Sequence, residues 1–209
     1  MTEQKTKQAV LMQKWQQKTW FSFEPNKISA IEMQDNSILK LFFLSEWKDF
    51  DISISQNANN SEIEICIVNF CNKSSIKWTI QSIMTWDKNK CSIKILNLLK
   101  ESKADIRSKI IIAQSSKWND GNLDQSNYCF DSNSASIWIP ELVIMTKEAK
   151  ARHALKNEQI DNEKLFFLTS RWIPTDIAEN MFIKMKVSEI FSWINVDYSE
   201  QLDKIVENF

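Results

Sequence analysis

Four cysteines, one histidine and a single glycine limit the chemistry that this 209-residue chain could carry. Cys66, Cys71, Cys91 and Cys129 form no CxxC pair and have no histidine at metal-ligand spacing, so no metal site is expected from them. They read as reduced thiols in or near a core. His153 stands alone in KEAKARHALKNE, a charged stretch that reads as a helix with a wet face, which argues against histidine-driven proton relays. Gly121 follows Asp120 in an Asp-Gly pair, the usual chemistry of a hairpin turn, and is expected to hold a positive φ there. One glycine cannot build a glycine-rich phosphate loop. Asp87, beside Trp86 in WDKNK, is a carboxylate next to an aromatic ring and also a good turn former.

The rest of the composition narrows the class. Lysine and arginine total 26 against 27 acidic residues, which gives no electrostatic footprint for nucleic acid. Hydrophobic residues make up 43% and charged residues 25%, as in a folded globular domain. The strongest apolar runs, at 41–44, 110–113 and 165–168, fall far short of the roughly 20 residues a membrane span needs. Residues 1–17 lack the apolar core of a secretory signal, so the chain is expected to stay in the compartment where it is made.

Elements able to position these residues follow from periodicity. Residues 2–17 read as a short helix, and from Thr19 onward short β-prone runs alternate with Asn, Ser, Asp and Lys clusters. The runs cover 37–44, 50–55, 62–70, 76–86, 91–98, 107–113, 122–130 and 135–145. Ile63, Ile65 and Ile67 alternate with polar or small residues, as do Ile52 and Ile54, and Ile76, Trp78 and Ile80. Such alternation marks strands with one buried face. With little helix between them, the strands predict an antiparallel sandwich or barrel. Residues 147–158 predict a helix, 165–173 a strand and 198–209 a terminal helix, while 175–194 fits either helix or strand.

Three stretches, taken in order, resemble the phycobiliprotein chromophore lyases of the S/U type. These are KWQQKTWFSF at 14–23, KWTIQSIMTWDKNKCSIKILNL at 77–98 and DGNLDQSNYCFDSNSASIWIPEL at 120–142. The matching positions are Trp78, Trp86, Asp87 and Ser92, then Asp120, Gly121, Leu123, Tyr128, Trp138, Pro140 and Leu142. The sequence departs from the pattern where arginines should follow Leu142, since Val143 and Met145 stand there instead. The resemblance implies a mainly β fold, an antiparallel lipocalin-like (calycin) β-barrel with a short N-terminal helix and a helical C-terminal extension. Residues 1–173 would form the barrel domain and 174–209 the extension packed on it.

The same resemblance implies a lyase that binds an open-chain tetrapyrrole, phycocyanobilin or phycoerythrobilin, and attaches it to a cysteine of a phycobiliprotein subunit. Its setting would be the cytoplasm of a cyanobacterium or the plastid stroma of an alga, with pairing to a second copy or a related chain left open. The acceptor supplies the thiolate, so the lyase needs only to hold and orient the bilin. Asp87 would then act on the pyrrole nitrogens, Arg107 (or Lys109) would meet the propionates, and Trp78, Trp86, Tyr128 and Trp138 would wall the site. The alternatives are a non-catalytic barrel that carries a ligand or chaperones a partner, and an interaction module that docks through 174–209.

Overall fold

The computed structural model describes residues 8–46, 49–160, 162–192 and 194–209. It contains twelve strands: β1 (Gln8–Met12), β2 (Gln17–Ser22), β3 (Ile28–Met33), β4 (Ile38–Glu46), β5 (Phe50–Gln56), β6 (Glu62–Asn72), β7 (Ser75–Met84), β8 (Lys90–Lys100), β9 (Lys103–Ile112), β10 (Asp120–Cys129), β11 (Ala135–Ile144) and β12 (Lys150–Gln159). Three helices follow, α1 (Asn162–Thr169), α2 (Thr175–Phe191) and α3 (Ser199–Asn208). Every strand pairing is parallel. The chain alternates between two six-stranded sheets, β1-β3-β5-β7-β9-β11 (sheet A) and β2-β4-β6-β8-β10-β12 (sheet B). It is therefore a parallel β-solenoid.

This overturns the antiparallel barrel. Alternation records that one face of a strand is buried, but it carries no strand direction. The eight β-prone runs do coincide with β4 to β11, yet each strand pairs with the strand two places away in the chain. Residues 147–158 also change class. The helix-prone KARHALKNEQ is strand β12, because β10 offers it an unbroken ten-residue parallel register. Tertiary pairing overrides weak intrinsic propensity here. Conversely, 165–173 contributes most of α1, since a short apolar run does not distinguish strand from helix. Of 2–17, residues 8–12 form strand β1, 13–16 a turn and Gln17 the first residue of β2, while 2–7 lie outside the described residues.

Two cores result. The lumen between the sheets takes Ile63, Ile65 and Ile67 from β6, Cys91, Ile93 and Ile95 from β8, and Ile76, Trp78 and Ile80 from β7. The opposite face of sheet B, with Phe42, Val68, Phe70, Leu98 and Tyr128, is covered by Leu165 of α1, by Ala178, Ile183, Val187 and Phe191 of α2, and by Leu202 and Val206 of α3. Asn72 ties α3 down by donating from Nδ2 to the carbonyls of Asn208 and Phe209.

The corners repeat as the strands do. Trp15, Asn36, Asn60, Lys88 and Trp118 each stand two residues before a sheet-B strand, and each holds a positive φ between 57° and 64°. Each N–H in this row donates to a carbonyl one rung on, as from Asn36 to Asn59, Asn60 to Asp87 and Lys88 to Lys117. Gly121 does not share this conformation. It has no positive φ and begins β10 rather than turning a hairpin. Space explains it better, because a Cβ at 121 would sit 3.0 Å from Cγ2 of Ile110 across the lumen.

Candidate functional site

The residues expected to bind or act do not converge. Trp78 is wholly buried in the lumen. Trp86 is exposed at a corner, and beside it the Asp87 carboxylate accepts the Lys117 N–H at 2.8 Å, which staples one rung to the next. Arg107 is exposed on the outer face of sheet A, 3.8 Å from Asp105, and Lys109 pairs with Glu141 at 2.8 Å. Tyr128 lies under α2, its ring 5.3 Å from that of Phe182. Of the six, only Trp138 stands at the open end of the solenoid.

That end is the best-built candidate site. β11 and β12 are the last strands of their sheets, so each leaves one edge unpaired and no further rung covers the lumen. Trp138 of β11 points inward and donates from Nε1 to Ser108 Oγ at 2.6 Å. His153 is in register with the lumen residue Leu123, and its ring lies edge-on to Trp138 at 6.2 Å. Leu155 is also on the inward side of β12 yet 47% exposed, as expected where the next layer is absent.

A polar strip leads inward from this mouth. Ser45, Asn69, Asn97, Asn127 and Asn157 fall in register on successive strands of sheet B. Asn97 donates from Nδ2 to Asn127 Oδ1 at 2.7 Å, and Asn127 donates onward to Asn157 at 2.6 Å. Gln125 also donates to Asn127, and Asn69 points its amide nitrogen at Cys71 Sγ, 2.8 Å away. This pairing satisfies the amide donors of the strip, while the buried amide oxygens of Asn69, Asn97 and Gln125 are left without a partner. The four asparagines recur 28, 30 and 30 residues apart, a repeat visible in the sequence that strand-by-strand reading passes over.

All four cysteines are free. Burial pushes the Cys66, Cys71 and Cys91 thiols up to about 12, and all three are closed off from solvent. Cys129, half-buried at the end of β10, is raised by burial and then by Asp131. Cys129 and His153 lie on adjacent strands but six residues out of register, on the order of 20 Å apart. Among the described residues no cluster of three or more His, Cys, Asp or Glu side chains could hold a metal ion. No helix among them is long and apolar enough to cross a membrane.

A search of curated proteins finds no match. Residues 6–185 match the family described as SUF system FeS cluster assembly, SufBD core domain. This match, together with the parallel solenoid, overturns the chromophore-lyase resemblance. The lyase activity, the phycobiliprotein subunit as partner and the carrier, chaperone or docking-module alternative fall with it. The aromatic and Asp-Gly motifs behind that resemblance are generic features of one-face-buried strands and their corners. Because the match spans most of the chain, the protein belongs to the SufBD core family of the iron–sulfur cluster assembly system.

Proposed function

We propose that the chain is a non-enzymatic scaffold for iron–sulfur cluster assembly, with the cluster as its cargo. The observation that carries this reading is the family match over residues 6–185. The geometry adds a restriction on how such a scaffold works. Cluster iron takes several thiolate or imidazole donors. This chain offers His153 at its open mouth and Cys129 one strand in, too far apart to chelate together. A cluster held at this end draws its other donors from a partner.

The open end suits such a partner. The unpaired edges of β11 and β12 present a row of backbone donors and acceptors, and Trp138, His153 and Leu155 stand over an uncovered lumen. Stacking a further rung there continues both sheets and the Asn127–Asn157 ladder. In the source cell, depletion of the chain should lower the iron–sulfur occupancy of client enzymes while their polypeptide levels hold. Unchanged occupancy would contradict the proposal.

A further inference from the structure

The corner before β10 carries a feature that neither the fold nor a scaffold role requires. In the row of positive-φ residues, Asn36 and Asn60 are of the type that tolerates this conformation best after glycine, whereas Trp15, Lys88 and Trp118 are not. Trp118 occupies the same position with φ 57°, and 61% of its surface is exposed. A bulky aromatic residue there is doubly unfavourable, because the backbone is strained and a large apolar ring faces water. Trp15 shares this strain and exposure, so what sets Trp118 apart is the cleft beside it.

The surroundings say what the cleft is fit to hold. Trp118 lines a cleft of about 450 Å³ with Lys90, Asn119, Asp120, Lys147, Glu148, Ala149 and Lys150. That size lies within the range of small-molecule sites. Lys88 Nζ stands 5.7 Å from the Trp118 ring centroid. Glu148 is neutralised by Lys117 at 3.3 Å, and Lys90 reaches Glu62 at 3.6 Å. Among the described residues, Lys147 and Lys150 have no carboxylate within ion-pair distance; set against Asp120, the lining carboxylate that pairs with no lysine, they leave the cleft a net positive charge. The Asn119 amide is committed to the corner, since its Oδ1 accepts the Asn89 N–H and its Nδ2 donates to Ser116 Oγ. Recognition therefore falls to one indole face and two free ammonium groups.

We propose that this cleft binds a mononucleotide-class ligand, a planar heteroaromatic ring stacked on Trp118 with its phosphate held by Lys147 and Lys150. Indole stacking is tolerant of base identity, and lysine binds phosphate as a mobile point charge. The inference is independent of the scaffold reading, and its test uses no iron or sulfide.

The purified chain is titrated calorimetrically at low salt with AMP, adenosine and inorganic phosphate in turn. AMP should bind at one site, at least tenfold more tightly than adenosine or phosphate alone. Trp118→Asn places at this corner the residue type found at positions 36 and 60. It should weaken AMP at least fivefold and leave phosphate binding unchanged, while the melting temperature holds or rises. Lys147→Gln with Lys150→Gln should weaken AMP to the level of adenosine. Trp15→Asn, at the far end of the same row, should leave AMP binding unchanged. Absence of AMP binding, AMP binding no tighter than phosphate, or full AMP affinity in Trp118→Asn would each overturn the proposal.

Discussion

Sheets A and B share one solenoid yet face different surroundings. Sheet A packs against the lumen on one side only, and its inner strands alternate strictly, with Ile76, Trp78, Ile80, Ser82 and Met84 of β7 inward and the residues between them outward. Sheet B is buried on both faces by the lumen and the helices, and its strands read as nearly continuous buried runs, from Ile65 to Cys71 in β6 and from Ile95 to Leu99 in β8. Parallel strands covered on both sides have no need to alternate. The contrast shows where mutation should be felt and which part of the fold each sequence pattern reports.

The largest expected difference comes from a charge placed on the outward face of each sheet. Val68→Asp puts a carboxylate under α2 with no partner and should cost at least about 3 kcal/mol or prevent folding. Thr79→Asp, on the outward face of β7 beside Arg107, should stay within about 0.5 kcal/mol in the same denaturant titration. Comparable losses at both positions would break the distinction between the sheets.

Next come the polar groups of the lumen. Asn127→Leu orphans the amide donors of Asn97 and Gln125 in sheet B and should cost about 1–3 kcal/mol for each buried donor left unpaired. Ser108→Ala in sheet A removes only the acceptor of Trp138, which is half-buried at the open end, and should cost about 1 kcal/mol. Equal losses would mean that the asparagine strip acts no differently from an isolated bond.

The thiols sharpen the contrast through pH and reactivity. In Cys66, Cys71 and Cys91 the folded value, about 12, lies above the ordinary 9.0, so their contribution is intact below pH 9. It should be lost as pH rises from 9 toward 12, and thermal melts across that window should fall steadily. In the native protein iodoacetamide should reach Cys129 first, because it alone is only half-buried. Early labelling of Cys71 or Cys91 would mean that the lumen is open.

The smallest effect should come from Asp131, which staples the corner between β10 and β11. Partial burial works to raise its carboxyl, but N–H groups of Glu101, Asn133 and Ser134 and the Ser134 hydroxyl prevail and hold it below the usual range. A lowered carboxylate stabilises above its unfolded value near about 4 and loses that contribution as pH falls through the folded one. Asp131→Asn should therefore flatten the acid limb of the stability curve.

The sequence made strand positions legible but not strand order. Alternation in Ile63–Ile67 and Ile76–Ile80 marks buried faces correctly, and turn-forming clusters bound β4 to β11 within a few residues. Nothing in a single alternating strand encodes whether its neighbour runs parallel, and the 28- to 30-residue return of Asn69, Asn97, Asn127 and Asn157 is the signal that does. Asparagine is common in loops, which hides it as a lumen residue. KARHALKNEQ favours helix, which makes His153 look like a solvated helical residue, and only the β10 register places it at the mouth. The Asp-Gly pair suggests a backbone constraint at Gly121, whereas the constraint is the approach of Ile110.

The central claim is that this chain serves cluster assembly by sharing a site at its open end, and anaerobic reconstitution with ferrous iron and sulfide tests it most directly. The chain alone should retain no cluster through a desalting column. Together with a second SufBD-core chain it should retain iron and acid-labile sulfide in a complex, and His153→Ala should reduce that content. A cluster held by the chain alone, or none held by the complex, would contradict the account.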